Sequence, residues 1–176
     1  MAVESHSFEL HGTVDEVAGR AIIRFDEVSS AKLPSRGQVA VDTEIKGEPT
    51  TLVIEPDGRR GHWLPVPAAL RGSVKSGDSV SLPASVSKVW PEVEVPEDLS
   101  DALKQADDLA ETWTSLTPMA RWEWVRWVGA TKNEQTRERR VEVSISKLRD
   151  GKRRPCCFDL SSCTDPEVAK SGKLIE

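Results

Sequence analysis

The stretch Ser87-Lys88-Val89-Trp90-Pro91-Glu92-Val93-Glu94-Val95-Pro96-Glu97-Asp98-Leu99 is where this chain changes character. Before it, apolar residues recur mostly at every second position. After Pro96 they recur at helical spacing, and the two prolines bias the residues before them to extended geometry. Upstream, Phe8, Leu10, Gly12 and Val14 alternate with Glu9, His11, Thr13 and Asp15. Val39, Val41, Thr43 and Ile45 alternate with Gln38, Ala40, Asp42 and Glu44, and Val80, Leu82 and Val86 with Ser79, Ser81 and Ser85. Such alternation belongs to strands with one buried face. Shorter apolar pieces at 21–25, 52–54 and 62–66 lie between them, punctuated by Lys46-Gly47, Pro56-Asp57-Gly58 and Ser76-Gly77-Asp78. Six short strands at this spacing predict a small closed or nearly closed barrel. One helical turn is expected at 67–74, led by Pro67.

Downstream the reading is helical. Leu99, Ala102, Leu103 and Ala106 share a face, with acids in the first turn where the helix dipole favours them. Leu109, Trp113 and Leu116 mark a second short segment. Thr117-Pro118 opens a third helix, the threonine as cap and the proline at the first position. Asn133 caps a fourth, carrying Val141, Ile145 and Leu148, and Gly151 stands where a C-terminal glycine belongs. The fold class is therefore α+β, a small β-barrel followed by a helical bundle. The boundaries are 1–88 for the barrel, 89–95 for a linker, 96–151 for the helices and 152–176 for a cysteine-containing, loosely docked tail.

Composition narrows the function classes. The 176 residues carry 24 Lys and Arg against 29 Asp and Glu, a net charge of −5. Residues 1–88 hold 10 basic and 12 acidic side chains, and 92–150 hold 9 and 13. Nucleic-acid binding needs a concentrated basic face, so nucleic acid is not an expected partner. No apolar run approaches transmembrane length and no signal peptide is visible, which predicts a cytoplasmic protein without membrane insertion. Three cysteines confined to the tail make no disulfide framework.

Few residues suggest chemistry. His6, His11 and His62 stand apart from any nucleophile motif and read as partly exposed surface histidines. Cys156, Cys157 and Cys163 lack the paired spacing of a zinc site, so no metal is expected. Phosphate loops are absent, and 58–61 reads as a hairpin tip with Arg59 and Arg60 exposed. Two clusters remain. Arg121-Trp122-Glu123-Trp124-Val125-Arg126-Trp127 puts Trp124 and Trp127 on one helix face with Val128, as core or as the wall of a ligand site. Arg137 and Arg140, three apart, fall on one side of the next helix. They either grip a carboxylate or phosphate, or pair internally with acids such as Asp98, Asp101 or Asp108.

Residues 95–103, with Pro96, Asp98, Leu99, Ala102 and Leu103 in the order P-x-D-L-x-x-A-L, resemble the opening of the YdeI/OmpD-associated family of bacterial proteins. Leu116-Thr117-Pro118, Arg126-Trp127-Val128, Ala130-Thr131-Lys132, Glu134, Thr136-Arg137 and Arg139-Arg140-Val141 extend the resemblance. Thr131 is an added residue between the alanine and the lysine. Residues 8–88 resemble the small β domain of unknown function that often precedes that family. This second likeness rests on 61–66, Leu70-Arg71 and Gly77-Asp78-Ser79-Val80. The resemblance implies a double-split, AbrB-like barrel and a helical domain labelled with bacteriocin protection. It brings no catalytic residue.

The expected function is a non-catalytic bacterial binding or protection protein that captures a peptide or small antimicrobial near the domain junction. Arg137 and Arg140 would supply charge, Trp127 or Trp124 an apolar wall, and Lys132 and Trp63 the rim. The alternatives are an AbrB-like DNA-binding regulator and an uncharacterised enzyme. No cofactor is expected.

Overall fold

Strand β1 (Phe8–Val17) folds back onto β2 (Arg20–Phe25) through Ala18-Gly19, both at positive φ, 50° and 78°. Strands β3 (Val39–Ile45) and β4 (Glu48–Pro56) are joined in the same way by Lys46-Gly47. Two-residue turns of this hand match the twist of paired strands, and glycine takes the second position without a Cβ clash. Strands β5 (His62–Pro65) and β6 (Ser79–Val86) complete the sheet. The order is β1-β2-β5-β4-β3-β6, closed and antiparallel at every pairing. The computed structural model describes residues 6–155 and 164–176. The chain divides into two compact units, 1–91 together with 174–176, and 92–173.

The barrel interior collects Leu10, Val14, Ile23, Val41, Ile54, Leu64 and Leu82 with their neighbours, as the alternation predicts. Gly12 occupies an inward position of β1 because a Cβ there would lie 2.6 Å from Ile23 Cγ2 and 2.7 Å from the Arg24 carbonyl oxygen. A short helix, α1 (Glu27–Ala31), was not anticipated. Asp26 caps it, accepting the Ser29 N–H at 2.7 Å, and buried Ser29 Oγ accepts the His11 N–H at 2.7 Å. The expected turn after Pro67 is a single 3₁₀ turn at Ala68–Leu70.

The short apolar pieces behave differently from the alternating strands. Ile22, Val53 and Trp63 are buried although they face away from Ile23, Ile54 and Leu64, so this part of the sheet is covered on both sides. Continuous apolar runs are the sequence mark of that situation. The last residues of the chain dock on the same unit. The Leu174 N–H donates to Asp57 O at 2.9 Å, Arg24 Nη2 donates to Ile175 O at 2.5 Å, and Arg59 pairs with Glu176 at 3.4 Å.

Two expectations are thereby corrected. The end of the chain is not a loosely docked tail: Val168 is fully buried, Leu174 is 1% exposed, and β7 (Ala169–Lys170) pairs with β8 (Lys173–Leu174). Apolar side chains at these two positions outweigh the polar run around them. His62 is not a surface histidine either. It is buried with Nε2 3.1 Å from Ser35 O, because β5 places it on the inward side with Leu64. Cys156, Cys157 and Cys163 lie outside the described residues.

In the second unit, α2 (Glu97–Gln105), α3 (Ala110–Ser115), α4 (Pro118–Gly129) and α5 (Glu134–Arg149) follow one another. Thr117 Oγ1 accepts the Ala120 N–H and Asn133 Oδ1 the Thr136 N–H, so both caps sit where the sequence puts them. Helix α5 packs on α2 and on α4. One cluster gathers Ala106, Leu109, Leu116, Trp124 and Leu148, and another Leu99, Val128 and Val141. Gly151 ends α5 at φ 79°.

Two outcomes follow for stability. Leu174→Ala should cost about 2–5 kcal/mol in urea unfolding, the ordinary loss for a buried leucine; an unchanged midpoint would mean that the terminal segment does not hold the fold. Burial lowers the His62 pKa, opposed in part by backbone groups of Gly37 and Ser35 and by the charge of Asp57. Its contribution is therefore complete above the unfolded value near 6.5 and is lost as pH falls towards the lower folded value. Unfolding free energy measured from pH 7.5 to 5 should decline, and His62→Gln should flatten that decline.

Candidate functional site

The helical unit is built around α4 and α5. At the start of α4, Arg121 is held by carbonyls of the preceding segment and by Glu92. Its Nη1 donates to Leu116 O at 2.6 Å, and Nη2 reaches both carboxylate oxygens of Glu92 at 2.9 and 3.1 Å. One turn on, Trp124 is fully buried and its Nε1 donates to Arg153 O at 3.1 Å. A buried indole needs such an acceptor, and Trp124 spends its one polar atom on it. Trp127, three residues further, is half-buried at the edge of the Leu99, Val128 and Val141 cluster.

Helix α5 brings cations to that ring. Arg140 Nη1 donates to Trp127 O at 2.6 Å, and its Cζ lies 5.2 Å from the indole centroid. Lys147 Nζ lies 5.4 Å from the same centroid and also donates to Pro155 O. Both cations are within the range at which the negative face of an indole attracts charge, worth about 0.5–1 kcal/mol where exposed and about 2 where desolvated. Buried Ser144, between them on the helix, donates its hydroxyl to Arg140 O at 2.7 Å. The result is an apolar ring held beside two positive charges, an arrangement that suits an amphipathic anion or an acidic peptide end.

Arg137 is employed otherwise. Its Nε and Nη2 donate to the two oxygens of Asp98 at 2.6 and 3.1 Å, a bidentate clasp from α5 to the first turn of α2. The Arg137 hydrogen bonds hold the Asp98 carboxyl below its usual range, and Asp98 in turn raises Arg137. Of the two uses open to this arginine, the internal pair with a first-helix acid describes what it does here. Arg149 makes the same bidentate contact with Asp108, at 2.9 and 3.0 Å.

The six expected positions thus separate. Arg140 and Trp127 come together. Lys132 is an exposed residue just before α5, Trp124 is buried core, and Trp63 belongs to the barrel unit, 1% exposed, with its Nε1 donating to Pro56 O at 3.2 Å. Sequence reasoning missed Lys147, although it lies seven residues beyond Arg140 and so on the same helix face. Among the described residues no group of three or more His, Cys, Asp or Glu could hold a metal, and no helix is long and apolar enough to cross a membrane.

Residues 92–151 match the family model described as bacteriocin-protection, YdeI or OmpD-associated, and residues 9–83 match a domain of unknown function, DUF1905. No curated protein and no solved structure shows a significant match.

The Arg137–Asp98 clasp is partly exposed on both sides, at 34% and 41%, so solvent screens it. Arg137→Ala should lower stability by no more than about 1 kcal/mol at neutral pH. Because the folded Asp98 pKa is depressed, the pair's contribution is present above the unfolded value near 3.9 and is lost as pH falls through the folded one. Denaturation of wild type and variant should therefore converge in acid; a difference that persists there would show that Arg137 acts through packing instead.

Proposed function

From a chain that belongs over residues 92–151 to the bacteriocin-protection, YdeI- or OmpD-associated family, behind a DUF1905 domain, we propose a non-catalytic binding and protection protein. It captures a peptide or small antimicrobial and so raises the tolerance of the bacterial cell that carries it. The supporting observation is the Trp127 ring with Arg140 and Lys147 both beside it. In this reading Trp127 supplies the apolar wall and Arg140 and Lys147 the charge that meets an acidic end. Arg137 keeps α2 and α5 in register through Asp98, and Lys132 sits at the periphery.

The reading places the protein in the cytoplasm, without a metal or cofactor. The barrel is taken as the double-split, AbrB-like type that the resemblance implies, but not as a DNA reader. With 10 basic against 12 acidic residues over 1–88, it has few cations with which to displace counterions from DNA.

Survival assays test the proposal. Sensitive cells expressing the protein should outlive controls when challenged with a panel of bacteriocins, and Arg140→Ala combined with Lys147→Ala should remove most of that advantage while the purified variant still unfolds cooperatively. Equal survival with and without the wild-type protein, across the panel, would overturn it.

A further inference from the structure

On the barrel unit, strand β3 carries an outward carboxylate between two hydroxyls. Asp42 is paired in register with Thr51 of β4 on one side and with Ser85 of β6 on the other. Its neighbours Val41 and Thr43 point inward and are buried, so Asp42 stands on the outer face. The three side chains form a row across adjacent strands, spaced by the ~4.8 Å of a sheet. Thr51 Oγ1 donates to Asp42 Oδ1 at 2.7 Å, which fixes the carboxylate and leaves its other oxygen to accept.

The chain after β6 folds beside this row. The Ser87 N–H donates to Ala40 O at 2.9 Å, and Ser87 Oγ donates to Val89 O at 2.9 Å, which sets the turn that leads to Trp90. The row and this turn line an open groove of about 560 Å³, with Lys88 and the half-buried Trp90 among its walls. The volume is in the range of small-molecule sites. One carboxylate and one lysine leave the groove near neutral overall.

We propose that this groove binds a neutral saccharide. A sugar ring has one face of C–H groups, which packs on an indole, and an edge of adjacent hydroxyls, which donate to a carboxylate. Asp42 accepts from two neighbouring hydroxyls, Ser85 exchanges hydrogen bonds with the next one, Thr51 Oγ1 accepts from another, and Trp90 carries the apolar face. A phosphorylated or acidic ligand fits poorly, because Asp42 would oppose it at the floor of the site. Saccharide sites of this open kind bind weakly, since much of the ligand keeps its water and its own freedom.

Calorimetry and saturation-transfer NMR on the full chain test this, with a β-1,4-linked N-acetylglucosamine tetramer and an α-1,4-linked glucose tetramer as probes and adenosine as comparator. At least one tetramer should bind in the millimolar range or tighter. Binding should weaken tenfold or more in Asp42→Ala and in Trp90→Leu, fall less in Ser85→Ala, and persist in Arg140→Ala. Asp42 and Ser85 face outward, so those variants report on binding without disturbing the core. No binding by either tetramer, binding indifferent to Asp42 and Trp90, or preferential binding of adenosine in the groove would overturn the proposal.

Discussion

Strand β6 is hydrogen-bonded on both sides, to β1 through Phe8↔Ala84 to Thr13↔Ser79 and to β3 through Val41↔Val86 to Thr43↔Ala84. That double pairing closes the barrel, and the rest of the first unit depends on it. A closed sheet separates an inside from an outside, so alternation in β1, β3 and β6 becomes a core of Leu10, Val14, Val41 and Leu82. In the β1–β2 hairpin the inward position at Gly12 has no room for a side chain, which would meet Ile23 and the Arg24 backbone. The outer row of Thr51, Asp42 and Ser85 also comes of closure: only a strand paired on both sides can place a carboxylate between two hydroxyls from different strands.

The helical unit is organised by a different constraint, the disposal of its guanidinium groups. Arg121, Arg137, Arg149 and Arg154 each meet a carboxylate, of Glu92, Asp98, Asp108 and Glu123 respectively. These pairs are partly exposed and individually modest, but each joins segments far apart in the chain and so selects one arrangement of the helices. Arg140 donates to the Trp127 carbonyl and lies over the Trp127 ring. The difference follows from position on α5. Arg137 faces the first turn of α2, with its acids, whereas Arg140, one turn later, meets the end of α4. Two arginines that look equivalent in sequence thus take up separate tasks, one holding helices together and the other standing at the candidate site.

Much of this was legible beforehand. The change of period at Trp90-Pro91 marks the passage from strands, ending in β6 at Ser79–Val86, to helices, beginning with α2 at Glu97–Gln105. Thr117, Asn133 and Gly151 act where local stereochemistry says caps and helix ends belong. Helix α1 escaped notice because five residues are too few to show a period; Asp26 followed by Ser29 was its only signal. Trp63 was misread as a rim residue because a tryptophan in a short apolar run gives no sign of which side of the sheet will be covered.

The amino-acid sequence by itself determined the barrel, the succession of helices and their caps, because hydrophobic period and capping act between residues a few positions apart. It also marked Trp127 and Arg140 as unusual, through the density of their types. Only the tertiary structure decided which arginine is spent on which partner, since Arg137 and Asp98 are 39 residues apart and could as well have missed one another. The same holds for the end of the chain. Arg24 meets Ile175 across 151 residues, and no local pattern foretells that contact, because its energy comes from surfaces that exist only once the barrel has closed.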